Sequence, residues 1–128
     1  MDNIKLDATE RSPEVNFDFQ ANVFSLGGES YPEDVPAFFG PPISQLEEHL
    51  SSLSGAKVEF NFELIYFNSS SAKVLMELFE MLDEAAENGN DVTINWSHDE
   101  DDDNMEELGE EFGEDLEHAS FNLVKIEA

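Results

Sequence analysis

The sequence predicts an α/β fold, a mixed β-sheet backed by helices, in the order β-β-α-β-α-β-α-β and within a single domain over residues 1–128. Segments in which apolar and polar residues alternate, as in half-buried strands, are interleaved with longer segments whose apolar residues recur at helical spacing. Strands that alternate with helices favour parallel pairing through right-handed crossovers. Two short alternating runs near the N-terminus, with no helical pattern between them, form a hairpin that makes the sheet mixed.

Residues 1–13 are mostly polar, and Ser12-Pro13 marks the start of structure rather than a helix. Val15, Phe17 and Phe19 alternate with Asn16 and Asp18 as a strand. Gln20-Ala21-Asn22 turns the chain, Val23 to Leu26 answers as a second strand, and Gly27-Gly28 ends it. Glu29 to Asp34 is a loop. Val35, Phe39, Ile43, Leu46, Leu50 and Leu53 then follow one helical face, but Gly40-Pro41-Pro42 interrupts it. The expected form is a short helical turn, a break, and a helix from about Pro41 to Leu53, capped by Gly55.

Lys57 to Phe67 is the longest strand. Val58, Phe60, Phe62 and Leu64 alternate with Glu59, Asn61 and Glu63, before the run Leu64-Ile65-Tyr66-Phe67 suggests burial on both faces. Ala72, Leu75, Phe79, Leu82 and Ala86 form the stripe of the next helix, which Asn88-Gly89-Asn90 stops. Val92, Ile94 and Trp96 mark another strand, followed by an acidic loop from His98 to Asn104. Met105, Leu108, Phe112, Leu116 and Ala119 mark a third helix, and Phe121, Leu123 and Ile126 a last short strand.

Composition narrows the function classes. The chain is 40% apolar, with 11 phenylalanines and Trp96, which excludes a disordered acidic polymer. At 128 residues it holds one real core but not two. No apolar run is long enough to cross a bilayer, and Met1 to Lys5 lacks a signal pattern, so the expected location is the cytoplasm. The absence of cysteine excludes disulfides, thiolate chemistry and cysteine-ligated metals. A formal charge of −26, from 31 acids against five Lys and Arg, repels phosphate backbones and anionic lipid. Neither a nucleic acid nor a membrane is expected as partner, whereas a protein with a basic patch would be steered toward this surface.

The densest polar constellation is Asn68-Ser69-Ser70-Ser71 at a strand-to-helix junction, followed by Lys73. Such a junction offers free amides and the positive end of a helix dipole. A serine there can accept phosphate, adding about −1.5 to −2 charges, with Lys73 in the first turn to pair with it. The plainer reading is that Asn68 or a serine only caps the helix.

Elsewhere, Asp99, Asp101, Asp103 and Glu110 match positions 1, 3, 5 and 12 of a calcium loop. Asn104 stands where that loop needs glycine, and a strand rather than a helix precedes it, so these are weak metal candidates. His49, His98 and His118 are scattered without metal-ligand spacing. None of these constellations calls for an enzyme, and no cofactor is implied.

The stretch Leu64-Ile65-Tyr66-Phe67-Asn68-Ser69-Ser70-Ser71-Ala72-Lys73 resembles the core motif of the SiaC family of bacterial regulatory phosphoproteins. Ala8 to Val15, Gly28 to Glu33, and the region from Gly109-Glu110 to Glu117-His118 agree with it in the same order. The resemblance implies a fold akin to the STAS domains of anti-sigma factor antagonists. It also implies partner switching: a cognate kinase phosphorylates a hydroxyl at the strand-to-helix junction, and a metal-dependent serine/threonine phosphatase resets it. The dephosphorylated form is then expected to bind and activate a diguanylate cyclase, linking the chain to cyclic-di-GMP and to aggregation or biofilm formation. An anti-sigma factor is the alternative partner. The family's acceptor is a threonine at the last hydroxyl before Ala-Lys, which is Ser71 here. In the wider antagonist group the modified serine follows an acidic residue, a pattern that points to Ser69 beside Asn68. Ser71 is therefore the expected acceptor, with Ser69 and Ser70 as reserves and Asn68 and Lys73 as its surroundings.

Overall fold

A computed structural model describes residues 3–127. Its elements in chain order are β1 (Ile4–Leu6), β2 (Glu14–Asp18), β3 (Val23–Ser30), α1 (Val35–Ser51), β4 (Lys57–Phe67), α2 (Ser69–Glu87), β5 (Asp91–Asp99), α3 (Asp103–Glu114) and β6 (Ser120–Ile126). The six strands form one sheet in the order β1-β2-β3-β4-β5-β6. The first three pair antiparallel, and β3 to β6 run parallel. The mixed α/β sheet with helical backing is thus present, with one more strand than the sequence suggests.

All three crossovers step across the sheet in the same direction. With crossovers of one hand, this places every helix on the same face. Burial agrees. Along β4, Val58, Phe60, Phe62 and Leu64 are buried while Glu59 and Glu63 are exposed, and β5 buries Val92, Ile94, Trp96 and His98. The helices contribute Phe39, Leu46 and Leu50 from α1, Leu75, Leu78, Phe79 and Leu82 from α2, and Met105 from α3. The opposite face stays open, and its middle is polar. Across it, Asn122 donates to Asn95 at 3.0 Å, Asn95 to Asn61 at 2.9 Å, and Asn61 to Glu59 at 2.9 Å. This amide chain ties the edge strand β6 to the centre of the sheet.

The open face corrects the expectation for the end of β4. Ile65 and Tyr66 are 67% and 51% exposed, because none of the described elements covers that side. Three further differences have local causes. Ile4–Leu6 is a strand because Ile4 and Leu6 pair opposite Phe17 and Val15, a partnership too short to show as periodicity. β3 does not stop at Gly27-Gly28. Gly28 takes φ +94°, the register slips between Gly28 and Glu29, and pairing resumes to Ser30 opposite Phe67. Finally, α1 is continuous through Pro41 and Pro42. Their missing N–H groups remove ladder bonds. The buried stripe Val35, Phe39, Pro42, Leu46 and Leu50 carries the helix across, and the Asp34 side chain caps its start by accepting from Ala37 N–H at 3.1 Å.

Two contacts fix α3 and the chain after it. The Trp96 indole donates to the Met105 carbonyl at 3.0 Å, and a methyl group at Gly109 would overlap the Trp96 ring. Past the helix end, the Asp83 carboxylate on α2 accepts the N–H groups of Glu117, His118 and Ala119, the last two at 2.8 and 2.9 Å. Burial opposes ionisation of Asp83. The three amides, with His118 nearby, outweigh it and hold the carboxyl below its ordinary 3.8.

A Gly109→Ala protein is expected to be destabilised by about 1–3 kcal/mol through overpacking against Trp96, measured by urea unfolding. For Asp83 the sign follows from its lowered value: its stabilising effect is present well above pH 3.8 and is lost as pH falls through the lower folded value. Asp83→Asn is therefore expected to unfold more readily at pH 7, with the gap to the parent closing in acid. A gap that does not shrink on acidification refutes the assignment.

Candidate functional site

The junction between β4 and α2 is built by its cap. Asn68 has extended backbone, φ −87° and ψ 176°, and its Oδ1 accepts from Ser71 N–H at 2.9 Å. Its carbonyl accepts from Ala72 N–H at 2.9 Å, and its own N–H donates to the Ser30 carbonyl at 3.1 Å. Asn68 thus closes the helix start and fastens it to the end of β3.

The structure separates the three serines. Ser69 and Ser70 face solvent. Ser71 is 1% exposed and points at Ser30, which is 2% exposed and donates from its Oγ to the Ser71 Oγ at 2.8 Å. Ser30 is the residue that sequence reading missed. The rule that Gly-Gly ends a strand hid it, since β3 runs on through Gly27 and Gly28 and stays paired to Ser30 across a register shift. A serine two residues beyond a paired Gly-Gly, one strand away from a serine run, was the available signal.

Three of the four stretches that carry the family resemblance meet here. Tyr31 N–H donates to the Arg11 carbonyl, and the Tyr31 and Tyr66 rings pack edge-on with centroids 5.7 Å apart. The Arg11 loop is itself a tight turn, with Arg11 and Ser12 N–H groups on the Thr9 hydroxyl at 3.2 and 3.0 Å.

Beside the junction lies an open groove of about 950 Å³ between the starts of α1 and α2. Val35, Phe39, Ile43 and Val74 supply its apolar wall, and Asn68, Ser70 and Lys73 line it with the acids Glu33, Asp34 and Glu77. The first turn of α2 carries no acid, in a chain that has 31 of them. The dipole end of that helix is therefore not neutralised by its own side chains.

The acidic candidates are not gathered. Asp99 accepts the Asp101 N–H at 3.1 Å, and Asp102 caps α3 by accepting from Met105 N–H at 3.0 Å. Because α3 starts at Asp103, Glu110 is carried about 10 Å along a helix and cannot close a loop around Asp99. Among the described residues, no group of three or more His, Asp or Glu stands where it would hold a metal ion. The histidines are likewise apart. His49 bonds Asn22 Oδ1 at 2.7 Å, with its pKa lowered from 6.5 mainly by burial. His98 sits under α3 facing Glu106 at 3.5 Å, and His118 is exposed.

The sequence model of SiaC family regulatory phosphoproteins matches residues 6–126, nearly the whole chain. The chain belongs to the SiaC family. It is accordingly a regulatory phosphoprotein rather than an enzyme. An uncharacterised protein of Pseudomonas aeruginosa (strain UCBPP-PA14) is 34% identical over 115 residues, 90% of each chain. Apo-SiaC from P. aeruginosa superposes with a TM-score of 0.87 at 33% identity, over 97% of this chain and 99% of that one. A structure of diguanylate cyclase SiaD in complex with its activator SiaC, also from P. aeruginosa, matches with a TM-score of 0.90 at 32% identity, covering 96% of this chain and 99% of that one. Among the described residues, no helix is long and apolar enough to cross a membrane.

Asn68→Ala is expected to cost about 1 kcal/mol by removing the cap. Faster amide exchange confined to the first turn of α2 would accompany it. An unchanged unfolding midpoint would show that the cap is dispensable.

Proposed function

We propose that this chain is a phosphorylation-controlled partner switch of the cytoplasm whose unmodified form binds and activates a diguanylate cyclase. It thereby raises cyclic-di-GMP and promotes aggregation or biofilm formation. The observation that carries this reading is the likeness, at full length and above 30% identity, to the SiaC chain solved with the cyclase it activates. A kinase modifies Ser71, the family's acceptor column, and a serine/threonine phosphatase resets it. Ser69 and Ser70 are the reserve acceptors.

The site's chemistry supports a switch. Ser71 is the third residue of α2, where the helix dipole favours a negative group by about 0.3–1 kcal/mol and Lys73 follows within the same turn. The neighbouring groove already holds Glu33, Asp34 and Glu77. A phosphate there adds like charge and a desolvation cost to any partner that docks over it.

Incubation with the host's kinase and ATP, followed by peptide mass mapping, is expected to place phosphate on Ser71. The phosphorylated protein should bind the cyclase at least about tenfold more weakly, a difference of roughly 1.4 kcal/mol, and lose its stimulation of cyclic-di-GMP synthesis. Phosphate outside residues 69–71, or a Ser71→Ala protein that still switches partners under the kinase, overturns the acceptor. Capture of an anti-sigma factor in place of a cyclase moves the chain to the antagonist reading.

A further inference from the structure

We infer that Ser30 is a latch on the acceptor: its hydroxyl holds Ser71 closed, sets how fast the kinase can reach it, and makes the closed junction incompatible with phosphate. The inference rests on Ser71 being the acceptor, as proposed above.

Both hydroxyls are covered, at 1% and 2% exposure, and their oxygens are 2.8 Å apart. Phosphoryl transfer needs the attacking oxygen within about 3–3.5 Å of the reacting phosphorus and in line with the leaving group. A kinase cannot meet that condition at a hydroxyl under a strand end. Transfer must therefore start from an open junction. In the open state the Ser71 Oγ attacks the γ-phosphorus of a nucleoside triphosphate. The Oγ–P bond forms as the bond from that phosphorus to the β–γ bridging oxygen breaks. The nucleoside diphosphate leaves, and the hydroxyl proton passes to a base of the kinase.

The geometry also selects what opens. Asn68 holds the start of α2 to Ser30 through one backbone bond at 3.1 Å, and the Ser30 hydroxyl is the second tie. The β3–β4 ladder is irregular just before it, with Gly28 at φ +94° and Ile65 of β4 passed over between the Gly28–Leu64 and Glu29–Tyr66 pairs. Past Ser30 the chain becomes the Tyr31–Asp34 link into α1, so Ser30 joins a yielding strand end to a groove wall. Once Ser71 is esterified, a tetrahedral group stands where the Ser30 hydroxyl now lies, and the closed arrangement is excluded. Displacement of Ser30 is then passed to Pro32, Asp34 and Val35, which line the groove with Ser70 and Lys73. The modification would be read by a partner as a changed groove as well as a new charge.

The test uses the full chain, the host's kinase with ATP, and three proteins: parent, Ser30→Ala and Ser30→Thr. Losing one neutral hydrogen bond corresponds to about a two- to tenfold rise in the open population. Ser30→Ala is expected to be phosphorylated on Ser71 faster by that factor under limiting kinase, with amide exchange at residues 69–73 faster to match and the rest of the protein unchanged. Ser30→Thr, which keeps the donor, is expected to return both rates toward the parent. Equal rates on Ser71 for the parent and Ser30→Ala overturn the latch while leaving the acceptor in place. Phosphate on Ser69 or Ser70 in the parent overturns both, because those hydroxyls need no opening.

Discussion

A sheet covered on one face only is the constraint from which the other features follow. With every helix on one side, each strand must divide its residues between a wall of aromatic packing and water. The aromatic wall is continuous: Phe17 meets Phe24 at 5.5 Å, Phe60 stacks on Phe62 at 4.4 Å, Phe62 on Phe79 at 5.1 Å, and Trp96 meets Phe112 at 5.5 Å. Each such pair adds to simple burial by about 0.5–1.5 kcal/mol. This concentration of ring contacts lets a chain with a formal charge of −26 hold together, since repulsion among its acids opposes the compact state. The acids stay outside, on helix surfaces, on loops and, as Glu59 and Glu63, on the open sheet face, where a chain of asparagines links the strands.

The same constraint places the serine junction. Because α2 lies on the covered face and follows β4, its first turn abuts the end of the neighbouring parallel strand β3. Two segments about 40 residues apart in sequence thereby present their hydroxyls to each other. The register shift, in which Ile65 of β4 is passed over between Gly28 and Glu29, brings Phe67 opposite Ser30, and Gly28 meets the positive φ without a Cβ penalty. Ser30 lies four residues after Leu26, so the alternation of β3 sets it on the same covered face as Phe24 and Leu26.

How much of this could be seen in the sequence depended on whether a signal was periodic. The alternation of Val58 to Leu64 and of Val92 to Trp96, and the stripe from Leu75 to Leu82, translate directly into elements and into which side faces the core. Non-periodic features were lost or misread. Ile4–Leu6 is too short to show a pattern. Pro41 and Pro42 carry a local penalty that the buried stripe around them outweighs. Ile65 and Tyr66 looked like the approach to a buried layer, but apolar character cannot reveal that the described residues hold no second layer of helices. The calcium-like spacing from Asp99 to Glu110 failed because a helix starting at Asp103 takes the loop's later positions away. The serine run was legible as a junction. Its partner Ser30 was not, since only tertiary pairing brings it there.

Capping falls to Asn68, which leaves the serine hydroxyls available for the phosphate acceptance proposed above. Asn68 supplies the cap through its own side chain, and only the backbone N–H of Ser71 is used in it. None of the three serine hydroxyls is needed to close the helix. Two are free to face solvent, while the third turns inward to a neutral partner rather than to a charge. That turn carries no acid of its own, although Glu33, Asp34 and Glu77 line the groove beside Ser70. The junction is thus capped without phosphate and has no acid in the turn that would receive one, yet its inner hydroxyl is sterically closed. A surface that only bound anions would need the second property alone. A switch needs all three, since its two states must each be stable and must exclude one another.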